Sequence, residues 1–187
     1  MEENIDQILG SAHEVLTQGE ELLRLIGDDD YTRVARPAFS SGIGAHYRHC
    51  LDHFTSFLRG TRDGEINFDT RDRDSNMEID RLFALEQTQA MLRAVINLDR
   101  SLLTRSVRIT AKVQYASTTS QTAMSTFERE LMYVVAHAMH HYALIRVMAS
   151  LLEIRLPAEF GVAPSTLQHL RNRGNSIVSL IEECEPA

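Results

Sequence analysis

Six of the eight histidines of the chain fall in two short runs. His46, His49 and His53 lie in GIGAHYRHCLDHF, at spacings of three and four. His137, His140 and His141 lie in VVAHAMHHYALI, an otherwise apolar stretch. An imidazole among apolar neighbours costs free energy unless it has a partner. Residues four apart share a face of a helix. His137 and His141 are such a pair, and two imidazoles so placed are a recurrent way to hold a divalent metal ion from one helix. On a helical wheel His140 points about 60° aside, while Glu130 and Met148 fall within about 20° of His137.

The first run also presents its three rings on one face, roughly 90–100° from the apolar stripe of its helix. That is the place for ligands at the rim of a pocket, and one or two of His46, His49 and His53 could complete a site with His137 and His141. No Glu-x-x-His pair of the di-iron bundles occurs in the chain. Three neutral imidazoles leave a metal position open, which marks catalytic rather than structural sites. Glu130 is a candidate to orient a ligand imidazole or to act as acid or base; the plainer reading is a first-turn helix residue favoured by the dipole. Arg48 and Asp52 are expected on a solvated face, and Tyr133 and Tyr142 in the core or an interface.

The elements that must position these rings follow from periodicity. Residues 2 to 27 read as a helix with apolar residues from Ile5 to Ile26, stopped by Gly27 and Asp28-Asp29-Asp30. Pro37 suits the first turn of a second helix, 37 to 60, ended by Gly60. Residues 61 to 75 read as a charged loop, and 76 to 104 as a third helix. The stretch from 105 to 124 alternates and is rich in Val, Ile, Tyr and Thr, a hairpin signal. Ser125-x-x-Glu128 then reads as a capping box opening a fourth long helix, to about Ile154. A short helix follows Pro164 to about Arg171. The expected fold is all-α: a four-helix bundle with a short β-hairpin-like insertion before the last long helix, in a single domain over 1–187.

With 43% apolar and 24% charged residues the chain has an ordinary globular composition. A net charge of −7 and a single lysine, Lys112, argue against a nucleic-acid surface. The apolar run from Leu131 to Leu152 contains three histidines and Arg146, so a buried helix is expected there rather than a membrane span. The acidic start MEENIDQILG is no secretory signal. Cys50 and Cys184 match no zinc or redox spacing; Cys50 is expected to pack as a small apolar residue and Cys184 to lie exposed. These features imply a cytoplasmic protein. The nearly all-round apolar fourth helix implies a homodimer.

IGAHYRHCLDHF followed much later by VAHAMHHYALI resembles the DinB-like (YfiT-type) superfamily of metal-dependent four-helix bundles, over most of the chain. INFDTRDRD and EFGVAPST are similar to segments of an uncharacterised bacterial branch. The resemblance implies that His49, six residues after Ile43, joins His137 and His141 in holding zinc or nickel. His46, His53 and His140 then line the pocket, with His53 as reserve ligand. It further implies a low-molecular-weight thiol as cosubstrate and a small-molecule substrate, as for a thiol S-transferase or related hydrolase. Many relatives carry Arg-Gly-Gln after the double histidine, where this chain has Tyr142-Ala143-Leu144, so no substrate carries over. The alternative is a non-catalytic, oligomeric binding or structural bundle whose metal is vestigial or absent.

Overall fold

The computed structural model describes residues 2–70, 74–116 and 118–172; Cys184 lies outside them. Four long helices carry the architecture: α1 (Glu2–Leu25), α3 (Ile43–Asp63), α5 (Arg81–Ile96) and α7 (Phe127–Leu151). They pack around a common core in the cyclic order α1, α5, α3, α7. Between and after them come α2 (Asp28–Thr32), β1 (Glu65–Asn67), α4 (Asn76–Ile79), α6 (Arg100–Leu103), β2 (Ser106–Ala111), β3 (Gln121–Thr126) and α8 (Pro164–Asn172). The all-α bundle with its hairpin insertion is therefore present. No helix among the described residues is long and apolar enough to cross a membrane.

Several boundaries differ from the sequence reading, each for a local reason. The second long helix starts at Ile43, not at Pro37, because Val34 pairs with Gly42 in a β-bridge that holds the intervening segment out of helical form. It ends at Gly64, whose φ of 75° is the left-handed conformation that suits glycine. Gly60 stays inside the helix, where its missing Cβ lets Ile66 of β1 lie against it. The 61–75 segment is thus not all loop. The expected 76–104 helix is three helices, because two aspartates compete for the backbone. Asp80 ends α4 and caps α5 by accepting from Phe83 N at 2.9 Å, and Asp99 caps α6 by accepting from Ser101 N at 3.0 Å. The last long helix is capped by Thr126, one residue after the expected Ser125, and ends at Leu151 rather than near Ile154. The Asp28–Asp30 run does not merely stop α1 but forms α2.

The small sheet has the order β1-β2-β3. β2 and β3 are the expected hairpin, in antiparallel register from Ser106↔Thr126 to Ala111↔Gln121. β1 joins β2 in parallel, with Ile66 opposite Ile109. Residues two apart on a strand share a face. Ile66 and Phe68 accordingly both turn inward, 0% and 6% exposed, and Phe68 N extends the ladder to Thr110 O at 3.0 Å. This short strand delivers Phe68 to the histidines of α3.

Candidate metal centre

α3 and α7 lie side by side and run in opposite directions. The pairing of their rings shows it: His53 faces His137, with centroids 4.1 Å apart, and His46 faces His141 at 5.5 Å. Six imidazoles therefore meet along one seam. At its inner end the ligand nitrogens of His49, His53 and His137 lie within 4.8 Å of one another. Nε2 of His49 and Nε2 of His137 are 2.9 Å apart. Two nitrogens each about 2.05 Å from one ion are about 2.9 Å apart at a right angle and about 3.3 Å apart at the tetrahedral angle. The set fits a divalent ion.

The protonation of His53 is dictated by its partner. Its Nδ1 lies 3.0 Å from the carbonyl oxygen of His49, which only accepts, so Nδ1 carries the proton. Nε2 is then the ring nitrogen with a lone pair, which is how backbone carbonyls orient metal-ligating histidines. His53 is 5% exposed. Phe68 stacks on it at 5.3 Å and 21°, and Tyr133 meets both Phe68 (5.3 Å) and His137 (5.7 Å). Phe39, from the segment before α3, sets its edge against His46 at 5.7 Å. These aromatic rings wall the cluster. Phe39 and Phe68 were missed in the sequence; an alternating apolar pair at Ile66 and Phe68 is the only local signal for the second.

His141 stands at the outer end of the same group. Its ring centroid is 4.6 Å from that of His49 and 4.8 Å from that of His137, while its Nδ1 lies 3.2 Å from Nδ1 of His46. Burial, then the neighbouring rings of His137, His46, His140 and His53, push its pKa down to about 3. Burial and His140 lower that of His46 as well. Both rings are kept neutral, the form a metal ligand requires. His140 is exposed, its centroid 5.4 Å from His141.

Other candidates take different places. Glu130 is 1% exposed at the start of α7, where its Oε1 accepts from Ser125 Oγ at 2.7 Å and Arg129 Nη1 at 2.8 Å. Asp52 is not on a solvated face: it is 3% exposed and pairs with Arg48 Nη1 at 2.9 Å, while Arg48 Nε reaches Glu78 at 3.2 Å and ties α3 to α4. Cys50 is buried, as expected, and burial pushes its thiol far above the ordinary range. Tyr142 is in the core, stacked between Tyr47 and Phe160 and donating to Val15 O at 3.1 Å. The Tyr142-Ala143-Leu144 departure therefore begins with a side chain turned into the bundle. Tyr133 is 37% exposed, at the edge of the cluster rather than in the core.

Four helices closed around one core, with imidazoles of two neighbouring helices gathered at their seam, define a helical-bundle protein with a candidate histidine metal centre. The chain belongs to the DinB superfamily, whose model matches residues 13–145, a span that includes all six clustered histidines. The crystal structure of a DinB-like protein, YjoA from Bacillus subtilis, is similar in fold, with a TM-score of 0.58, 18% identity, and coverage of 81% of this chain and 96% of that one. FK506-binding protein 5 of Rhizopus delemar is 33% identical over 108 residues, 58% of this chain. That match takes up 28% of the fungal protein's length.

Proposed function

We propose that the chain is a metal-dependent enzyme acting on a small-molecule substrate, by S-transfer from a low-molecular-weight thiol or by a related hydrolysis. His49 and His137 hold a divalent ion, zinc or nickel, with a third imidazole. The observation that carries this is the convergence of three ring nitrogens within 4.8 Å, one of them set in its tautomer by the His49 carbonyl. The convergence of ring nitrogens supports His53 as the third ligand. His141 is the one implied by the family resemblance; its ring centroid lies 4.6 Å from that of His49 while its Nδ1 faces His46. When bound, the ion supplies a Lewis acid and lowers the pKa of water or thiol toward neutrality.

The chain's own residues do the rest. His49, His53 and His137 fix the position of the ion, and the shared seam keeps α3 and α7 in register around it. Phe68, Tyr133 and Phe39 exclude water from the flanks, which strengthens electrostatic interactions at the centre. The test is turnover by metal-loaded protein with a panel of cellular thiols and electrophiles, and with activated esters. Turnover that His137→Ala abolishes is expected. A fully metal-loaded protein that turns over none of them supports the non-catalytic reading instead.

One observation favours an assembly role beside catalysis. Beyond the exposed Arg129 of its first turn, Met132, Ala136, His140, Ala143, Val147, Ser150 and Leu151 are all exposed along one side of α7, and none carries a formal carboxylate, guanidinium or ammonium charge. Met132, Val147 and Leu151 are each more than half exposed. We propose that this face joins two copies of the chain in a homodimer, as uncharged apolar surface does in interfaces between like subunits.

A further inference from the structure

One line along α7 joins the edge of the histidine cluster to the far end of the helix. Tyr133 is 37% exposed, and its ring meets Phe68 at 5.3 Å and His137 at 5.7 Å. Leu151, 55% exposed, follows eighteen residues later. At 3.6 residues per turn that is five full turns, so both side chains leave α7 in the same direction, about 27 Å apart. The line borders the uncharged exposed stripe on the side of the histidine seam. Within the stripe the small Ala136 and Ala143 let a second helix approach closely.

A two-fold contact is isologous: residue i of one copy meets residue j of the other, and j meets i. Antiparallel packing of α7 on its copy, centred between His140 and Ala143, satisfies this. It sets Tyr133 against Leu151 of the partner subunit and Ala136 against Val147 of the partner subunit, each pair twice. The charges at the two ends agree. The Arg129 guanidinium lies 5.8 Å over the Tyr133 ring, with 66% of the side chain exposed, and exposed Glu153 stands two residues past Leu151. Antiparallel packing brings these opposite charges together at both ends, while parallel packing sets Arg129 against the partner's Arg129.

We propose that two copies of the chain pack α7 on α7 in antiparallel fashion, and that Leu151 of the partner subunit covers Tyr133. Each histidine cluster is then walled in part by the other copy. The proposal rests on the homodimer proposed above. The apolar cover adds to Phe39 and Phe68 in keeping water from the cluster, and the hydrophobic shell of a metal site controls its solvent access.

The test is cross-linking with a short bis-maleimide in a Cys184→Ser background, where the remaining Cys50 is buried. Ala136→Cys and Val147→Cys both fall at exposed positions. The chain carrying both is expected to give a covalent dimer, and neither single variant is, because like residues of the two copies stand roughly 16 Å apart along the helices. The chain has no tryptophan, so Tyr133→Trp places a single indole under the proposed cover. Its emission is expected at shorter wavelength than in the same variant carrying Val147→Asp. A dimeric protein that cross-links in a single variant, or fails to cross-link in the double one, overturns the antiparallel packing. Equal emission in the two tryptophan variants overturns the cover over Tyr133. A monomeric wild type overturns the proposal together with the homodimer. A chain that binds no metal removes the metal reading and leaves all of these outcomes as they stand.

Discussion

Nδ1 of His53 donates to the carbonyl oxygen of His49, one helical turn earlier, at 3.0 Å. This bond ties the tautomer of one imidazole to the backbone of another and leaves the lone pair of His53 on Nε2. It distinguishes His53 from His141, whose Nδ1 faces His46. The first expectation follows. His53→Ala weakens metal binding by more than about 100-fold, since even partners outside the ligand set contribute about 10–100-fold. His141→Ala costs less. Competition with a chelator of known affinity measures both. The reverse order would assign the third place to His141.

Acid should unfold the chain earlier than its carboxylates alone would dictate. The pKa of His141 falls from 6.5 to about 3 on folding, so between those values the unfolded chain binds a proton that the folded chain does not. Stability then rises with pH across that window, is lost as pH falls from 6.5 toward 3, and gains nothing further from this group above 6.5. His46 acts in the same direction. The melting temperature of chelator-treated protein should therefore already drop between about pH 6.5 and 5, before most carboxylates titrate. His141→Gln should flatten that slope. An equally steep slope in the variant would contradict the assignment.

Glu130 holds the start of α7 through Ser125 and Arg129. Glu130→Ala removes the charge-assisted hydrogen bond accepted from the half-buried Ser125 hydroxyl and should cost about 1–3 kcal/mol, read as a lower melting temperature. Metal content should not change. Loss of metal, or loss of turnover at an unaltered melting temperature, would place the carboxylate in the chemistry instead.

The uncharged face of α7 predicts a dimer in solution. Light scattering should give twice the chain mass, and Val147→Asp should give the chain mass with metal binding retained. A monomeric wild type would remove the assembly proposal without touching the metal site.

The helices that carry the rings were legible because their apolar periodicity is strong and their histidines recur at three and four. The hairpin was legible from its β-branched alternation. Three features were not. Asp80 and Asp99 cut the third helix, but in sequence their capping is hidden under an apolar stripe that runs on past them. β1 is three residues long, and its parallel partner β2 begins some forty residues later, so no local pattern announces it. With β1 went Phe68, whose ring over His53 depends on that pairing. His46, His49 and His53 share a face of α3, and His137 and His141 a face of α7, by spacing alone; which of them meet across the seam depends on the offset between the two helices, a tertiary quantity. That is why His53 stood as a reserve ligand in the sequence and sits inside the triad in the structure.

The central claim is that this seam binds metal. Elemental analysis of tag-free protein, grown with first-row metals available and washed free of loose ions, tests it most directly. The account predicts at least about one equivalent of zinc, nickel or another imidazole-preferring divalent ion per chain, lost in His137→Ala. Less than about a tenth of an equivalent of any such ion would contradict it.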